Sequence, residues 1–120
     1  MEKKMNCAKA STSILHACTG KSQGLVSLIE YSDDSIVSKT ILDKPAGTVT
    51  LFAFDKGQKL SEHTVPYDGI VQVIEGRAII TIAGEEKEVL SGEIIIMPGN
   101  MPHSVVAKGK FKMLLTMIRV

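Results

Sequence analysis

The chain has 120 residues, 44% of them apolar, and its 14 basic and 13 acidic side chains leave a formal net charge of +1. A chain of this length and composition predicts one globular domain and excludes a disordered protein. Because acids and bases are intermixed, we expect no nucleic-acid interface. The sequence contains no run of about 18 apolar residues, so no membrane span is predicted.

The N-terminal part of the sequence differs from the rest. Residues 1–21 show no sustained periodicity and predict a mobile or peripheral leader, followed by one domain over residues 22–120. Both cysteines, Cys7 and Cys18, lie in this leader, where two thiols do not make a disulfide framework. We therefore expect them to stay reduced, as in a cytoplasmic protein. His16 has no partner at a metal-ligand spacing and is interpreted as a tail histidine.

The remaining sequence reads as short strands. Residues 22–31 fit either a short helix or a strand, and residues 33–35 predict a turn. After them, β-branched runs alternate with glycine or proline turns, a pattern typical of an all-β sandwich or barrel. No segment of helical period is long enough for a βαβ unit. The predicted strands are Ile36–Leu42, Thr48–Phe54, Gly69–Glu75, Arg77–Ala83, Glu86–Leu90, Glu93–Met97, His103–Ala107 and Lys110–Ile118.

Two of these predicted strands carry apolar side chains on both faces. Thr48–Phe54 is apolar on both sides, and the second face of Lys110–Ile118 becomes apolar toward its end. A strand that is apolar on both faces must be covered on both. The cover is either the N-terminal segment or a second subunit, and we predict a homodimer.

The first of two glycine-containing motifs runs from Gly57 to Gly76 and the second from Gly92 to Ala107. Together they resemble the two motifs of the cupin superfamily. The first family motif is a glycine, five residues, His-x-His, a gap of three or four residues, a glutamate, six residues and a glycine. Its second histidine position holds Val65, and its glutamate position holds Gly69 or, with the longer gap, Ile70. The positions that agree are Gly57, His63 and Gly76.

The second motif is also incomplete. The family pattern is a glycine, five residues, Pro-x-Gly, two residues, a histidine, three residues and an asparagine. Asn100 occupies the second glycine position, directly after Gly99, and Ala107 occupies the final asparagine position. The positions that agree are Gly92, Pro98 and His103.

The resemblance implies an antiparallel β-barrel of the jelly-roll type with a central pocket. In metal-binding cupins three histidines and a glutamate hold Fe, Mn, Ni, Cu or Zn. Only His63 and His103 remain of that set here, and Asp68, next to the glutamate position, is the possible third ligand. We expect one divalent transition metal on these residues, or none if the reduced site is empty. The expected apolar pocket residues are Val65, Val71 and Met97.

Two functions follow from the resemblance. The first is a barrel that binds a small molecule without catalysis, which the apolar replacement at Val65 favours. The alternative is a metal-dependent enzyme, a dioxygenase or isomerase, with the reduced His63 and His103 ligand set. Tyr67 is interpreted either as a gate at the pocket mouth or as a surface tyrosine. Four methionines are interpreted as core packing, with a pocket-lining role as the alternative: Met97, Met101, Met113 and Met117.

Overall fold

The computed structural model describes residues 13–119, which form ten antiparallel strands and two short 3-10 turns, His16–Cys18 and Val26–Leu28. The strands are β1 (Ser13–Ile14), β2 (Ile36–Lys44), β3 (Gly47–Phe54), β4 (Lys59–His63), β5 (Asp68–Glu75), β6 (Arg77–Ile82), β7 (Glu85–Leu90), β8 (Ile94–Met97), β9 (His103–Val106) and β10 (Phe111–Ile118). Residues 1–12, which include Cys7, lie outside the described part of the chain.

The strands form two sheets. One sheet has six strands in the order β1-β2-β3-β10-β5-β8, and the other has four in the order β4-β9-β6-β7. Every pairing between neighbouring strands is antiparallel. The prediction of an all-β jelly-roll fold is therefore confirmed.

The main core lies between the two sheets, where alternate residues of each strand point inward. The rings of Phe54 and Phe111 stack at its centre, with their centroids 4.5 Å apart. Neither side chain is exposed. The other buried members are Val71, Val73, Ala78, Ile80, Val89, Met97, Val105, Ala107 and Met113.

The ends of the predicted strands differ from those of the structure by two residues at most, but two strands were missed: the two-residue Ser13–Ile14, inside the predicted leader, and Lys59–His63. The segment predicted as Arg77–Ala83 ends at Ile82, because Ala83 and Gly84 take φ values of 49° and 83° and form a two-residue hairpin turn. The strand Lys59–His63 was not delimited from the sequence. Leu60 is its only apolar residue, so the alternation that marks other strands is nearly absent.

A covering segment, residues 25–31, packs on the outer face of the six-stranded sheet. Ile29, only 3% exposed, contacts Leu51 and Ala53 in a second, smaller core. Of the two structures expected for residues 22–31, a short helix is the one observed: the only regular element of the segment is the 3-10 helix Val26–Leu28. The N-terminal segment thus covers part of the sheet, as one of the two sequence-based interpretations expected.

Three side chains of the sheet hold the covering segment in place, and one of them, Lys39, donates to the carbonyl of Leu28 at 2.6 Å. The buried ammonium of Lys112 donates to the carbonyl of Val26 at 2.7 Å and lies 3.9 Å from the carboxylate of Glu75. The hydroxyl of Tyr31 donates to the same carboxylate at 2.5 Å. Burial, together with this hydrogen bond and the charge of Glu75, raises the pKa of Tyr31, so the hydroxyl stays a donor.

Deleting residues 1–21 is expected to lower the melting temperature by only a few degrees. Among the described residues this deletion removes little more than the pairing of Ser13–Ile14 with β2. Deleting residues 1–31 also removes Ile29, whose burial is worth roughly 2–5 kcal/mol, so a drop of about 10 °C or more is expected. Differential scanning calorimetry of both truncations decides this. A large drop with the shorter deletion would show that the leader contributes to the core.

Within residues 13–119 no helix has the length and apolar character needed to span a membrane.

Candidate functional site

The two histidines of the motifs meet on neighbouring strands. β4 and β9 are hydrogen-bonded neighbours, and their register places His63 directly opposite His103. The ring centroids are 4.3 Å apart and the rings are inclined at 67°, an edge-to-face contact. The structure therefore brings together the two residues that the sequence marks as candidate ligands.

Hydrogen bonds to the backbone place a proton on the Nδ1 atom of both rings. Nδ1 of His63 lies 2.8 Å from the carbonyl of Ser61, and Nδ1 of His103 lies 3.3 Å from the carbonyl of Met101. A carbonyl oxygen only accepts, so each Nδ1 carries the proton. In the neutral rings both Nε2 atoms are then left with a free lone pair, the state in which histidine binds a metal or accepts a hydrogen bond.

The two imidazoles differ in exposure. His103 is 6% exposed, whereas His63 is open to solvent. Burial lowers the pKa of His103; the hydrogen bond to Met101 opposes this effect, and the nearby His63 adds to it. His103 is therefore neutral near pH 7. No fully buried side-chain nitrogen or oxygen among the described residues lacks a partner.

Both rings line a cavity of about 50 Å³ between the two sheets. That volume accommodates an ion with a few water molecules or the end of a small organic molecule. The other lining residues are apolar apart from one tyrosine hydroxyl: Leu60, Val65, Tyr67, Gly69, Met97, Val105, Met113, Leu115 and Met117. The only strongly polar groups on the cavity wall are thus the two imidazoles.

The expected pocket residues take different places. Val65 and Met97 line the cavity, as the resemblance implied. Val71 lies one row deeper, fully buried in the core, and is not among the lining residues. Asp68 is exposed, and its carboxylate accepts a hydrogen bond from the backbone N–H of Gly99 at 2.8 Å. In this arrangement Asp68 ties two loops together.

The donor set does not fit the metal site of a metal-binding cupin. Val65 stands at the second histidine position, and Gly69 lines the cavity at the glutamate position. Within residues 13–119, no three histidine, cysteine, aspartate or glutamate side chains come close enough to hold one ion. Protein metal sites with nitrogen and oxygen ligands generally use at least three. The frame of the site is retained, and half of its ligands are replaced by apolar residues or glycine.

The turn at the cavity mouth explains a shift within the second motif. Asn100 adopts a left-handed conformation with φ of 67° at the position where the family has glycine. Asparagine tolerates this region better than most residues. Its N–H donates to the carbonyl of Val65 at 2.7 Å. A Cβ atom at Gly99 would lie 3.1 Å from the backbone of Tyr67, so this glycine allows the two loops to pack closely.

Sequence reasoning missed three lining residues, Leu60, Val105 and Leu115. The parity of the last strand carried the signal for one of them. Leu115 shares a face with Met113 and Met117, whose pocket-lining role was one of the two alternatives. Leu60 lies on the strand that was not delimited, so its inward direction was not assigned.

Comparison with known proteins identifies the family. A family model described as "Cupin domain" matches residues 50–119. The chain belongs to the cupin family. This match includes both histidines and all of the cavity lining, and it confirms the resemblance inferred from the two motifs.

Solved structures of other cupins agree with this assignment. A conserved protein of unknown function from Streptococcus pyogenes is 33% identical, with a TM-score of 0.80 over 83% of this chain and 88% of that one. A cupin 2 conserved barrel domain protein from Leptotrichia buccalis is 35% identical, with a TM-score of 0.77 over 79% of this chain but 46% of that one. This cupin therefore spans less than half of the second relative.

More distant similarity concerns the fold alone. Salicylate 1,2-dioxygenase from Pseudoaminobacter salicylatoxidans is 16% identical, with a TM-score of 0.65 over 69% of this chain and 26% of that one. At this identity the common barrel is all that is shared. Among proteins with curated annotation, none matches the chain.

Proposed function

We propose that this cupin binds a small, largely apolar molecule in its barrel without transforming it. The observation that carries the proposal is the cavity wall, in which His63 and His103 are the only strongly polar groups among apolar side chains. A concave apolar site with a few convergent polar groups is the usual form of a small-molecule site. Among the described residues, no carboxylate, serine or cysteine lines the cavity with the imidazoles, and no three His, Cys, Asp or Glu side chains form a metal site.

The two histidines define the polar end of the ligand. Each Nδ1 is a donor to a backbone carbonyl, so in the neutral ring Nε2 is an acceptor. A matching ligand presents a hydroxyl or N–H to these nitrogens and an apolar body to the methionines and leucines. A carboxylate fits less well, because the buried, neutral His103 offers it no positive charge.

The metal-dependent alternative has less support. A dioxygenase or isomerase needs a metal held firmly enough to bind substrate as well, and among the described residues no cysteine, carboxylate or third histidine joins the two imidazoles. The carboxylate of Asp68 bonds to Gly99 instead. We therefore place solute binding before metal-dependent catalysis.

Phenol and toluene, equal in size but differing in one hydroxyl, test the proposal in the presence of EDTA. Phenol is expected to shift the backbone NMR signals of cavity residues at millimolar concentration, and toluene to bind more weakly. His103→Ala should weaken phenol binding about tenfold, consistent with loss of one hydrogen bond in a dry site, and His16→Ala should have no effect. Equal binding of phenol to wild type and His103→Ala, or shifts confined to other surfaces, would contradict the proposal.

We further propose that the protein is a cytoplasmic homodimer that pairs through the uncovered part of the six-stranded sheet. The covering segment leaves an apolar strip on β5, β8 and β10, where Ile94 and Ile96 are 62% and 60% exposed. Ile70 and Thr116 are their neighbours on the same face. The strip carries no charge, whereas residues 1–12 hold three lysines, so a second copy is a better cover than the chain's own N-terminus.

The dimer is expected to dissociate when the strip is charged. Ile94→Glu and Ile96→Glu each place a carboxylate in the proposed interface, and sedimentation should show a monomer at micromolar concentration where wild type is a dimer. Leu90→Glu, an exposed apolar residue of the four-stranded sheet, is the matched control and should remain dimeric. A monomeric wild-type protein, or a dimer unaffected by both isoleucine changes, would contradict this interface.

A further inference from the structure

The cavity contains a second kind of donor, the thioether sulfur. Met97, Met113 and Met117 line the same cavity as His63 and His103. No carboxylate, ammonium or guanidinium lines it, so every donor atom of the wall is neutral when the imidazoles are neutral. A neutral set of nitrogen and sulfur donors suits soft, singly charged cations, and the oxygen ligands that hard divalent cations prefer are missing.

Strand register places two of the thioethers around the vacant glutamate position. Gly69 of β5 pairs with Met97 of β8 on one side and with Met117 of β10 on the other. The three residues form one row on the inner face of the sheet, so both methionine side chains extend into the barrel beside a residue without a side chain. A Cβ atom at Gly69 would lie 3.4 Å from the methyl carbon of Met97, so that side chain occupies the space above the glycine.

The histidines complete the set from the opposite sheet. β4 and β9 carry His63 and His103 with their Nε2 atoms free, and the same cavity joins them to the methionines of β8 and β10. Two nitrogen and two sulfur donors thus line one cavity from four strands, and methionine side chains are flexible enough to adjust to a bound ion. Placing one positive charge in this apolar cavity costs far less than placing two, because the desolvation penalty grows with the square of the charge.

We propose that this cavity is a site for a soft monovalent d¹⁰ cation, Cu(I), bound by His63, His103, Met97 and Met117. Compared with the family's three histidines and glutamate, one imidazole and one carboxylate are absent, and two thioethers line the same cavity. The cation site does not depend on the solute-binding function proposed above, because it requires only the donor atoms of the wall. Cu(I) and a solute hydroxyl use the same two nitrogens, so they exclude each other.

Silver(I), a redox-inert probe with the same ligand preference, tests the site in a full-length Cys7→Ser/Cys18→Ser protein. The leader thiols are removed because they bind soft cations themselves. With methionine methyl groups labelled with ¹³C, Ag(I) is expected to shift the signals of Met97 and Met117 at one equivalent. Zn²⁺ is expected to leave these methyl signals unchanged. Anaerobic competition with a Cu(I) chelator then gives the affinity for copper.

Conservative variants separate sulfur ligation from apolar packing. Met97→Leu and Met117→Leu keep volume and polarity, so they should preserve the fold, yet each is expected to weaken Ag(I) and Cu(I) binding about tenfold or more. Met101→Leu, an exposed methionine outside the cavity lining, is the control and should bind like the parent. Solute binding measured with phenol in EDTA should persist in the leucine variants.

Two results would overturn the proposal. One is unchanged Ag(I) affinity in the Met97→Leu/Met117→Leu double variant, which would make the methionines packing residues only. The other is an Ag(I) response in the parent protein confined to Met1, Met5 or Met101, which would place binding outside the barrel. The second readout uses the unsubstituted methionines, so it decides the question even if a variant fails to fold.

Discussion

Replacing Gly76 with alanine is expected to lower the free energy of unfolding by about 2–5 kcal/mol. Gly76 has a φ of 73°, a conformation that costs an alanine about 1–2 kcal/mol. A Cβ atom there would also collide with the backbone carbonyl of Lys110 and approach Phe111 to 3.0 Å. Because the obstacle is backbone, it cannot move aside without disturbing the start of β10. Urea denaturation measures the loss.

Gly84→Ala is the matched control for this prediction. Gly84 also has a positive φ, 83°, but nothing lies within 4 Å of its missing Cβ. The free energy of unfolding of Gly84→Ala should therefore fall only by the conformational cost of a positive φ in alanine, about 1–2 kcal/mol. The difference between the two variants measures the steric conflict at Gly76 alone. If both lose the same amount, β10 does not pass Gly76 as closely as described.

Replacing Phe111 with alanine is expected to cost about 3–5 kcal/mol, among the largest effects of any single truncation in this barrel. The ring is fully buried and stacks on Phe54, so its removal leaves a cavity between the sheets. Phe52→Ala on β3 is the control. Phe52 is only partly buried, and its ring lies 6.2 Å from that of Phe54, so its loss should be clearly smaller. If both variants lost the same free energy of unfolding, the degree of burial would not determine how much each ring contributes to stability.

Much of the fold could be predicted from the sequence, because turn residues and the alternation of apolar and polar side chains mark most of the strands. Seven of the eight predicted strands differ from the structure by one residue at an end, and Ile36–Leu42 differs by two. These segments have clear period-two patterns between glycines, where each pattern reports a buried face. Residues 22–31 have no such period: Ile29 is their one fully buried residue over Leu51 and Ala53, and Leu28 and Tyr31 pack beside it. That contact is tertiary, and local sequence does not encode it.

The candidate site was predictable in its histidines but not in its walls. His63 and His103 match the histidine positions of the two family motifs, which predicted one shared pocket, and the structure places them opposite each other with their rings in contact. Which lining residues reach the cavity depends on strand depth, not only on parity. The side chain of Val71 is on the inner face of β5, but it lies in the core beneath the cavity and does not line it. Asp68 stands next to the glutamate position, but the exposed N–H of Gly99 captures its carboxylate, a loop contact invisible in the sequence.

The hydrogen bonds that orient the two imidazoles involve only backbone carbonyls, so the orientation of the rings does not depend on the side chains that line the cavity. Each ring is held by the carbonyl of the residue two positions earlier on its own chain, a group that every amino acid supplies. Substitutions at Val65, Gly69 or the methionines therefore change what surrounds the histidines without altering how they are held. A barrel built in this way can exchange one ligand for another over evolution by a few changes in its walls, while its histidine pair stays where it is.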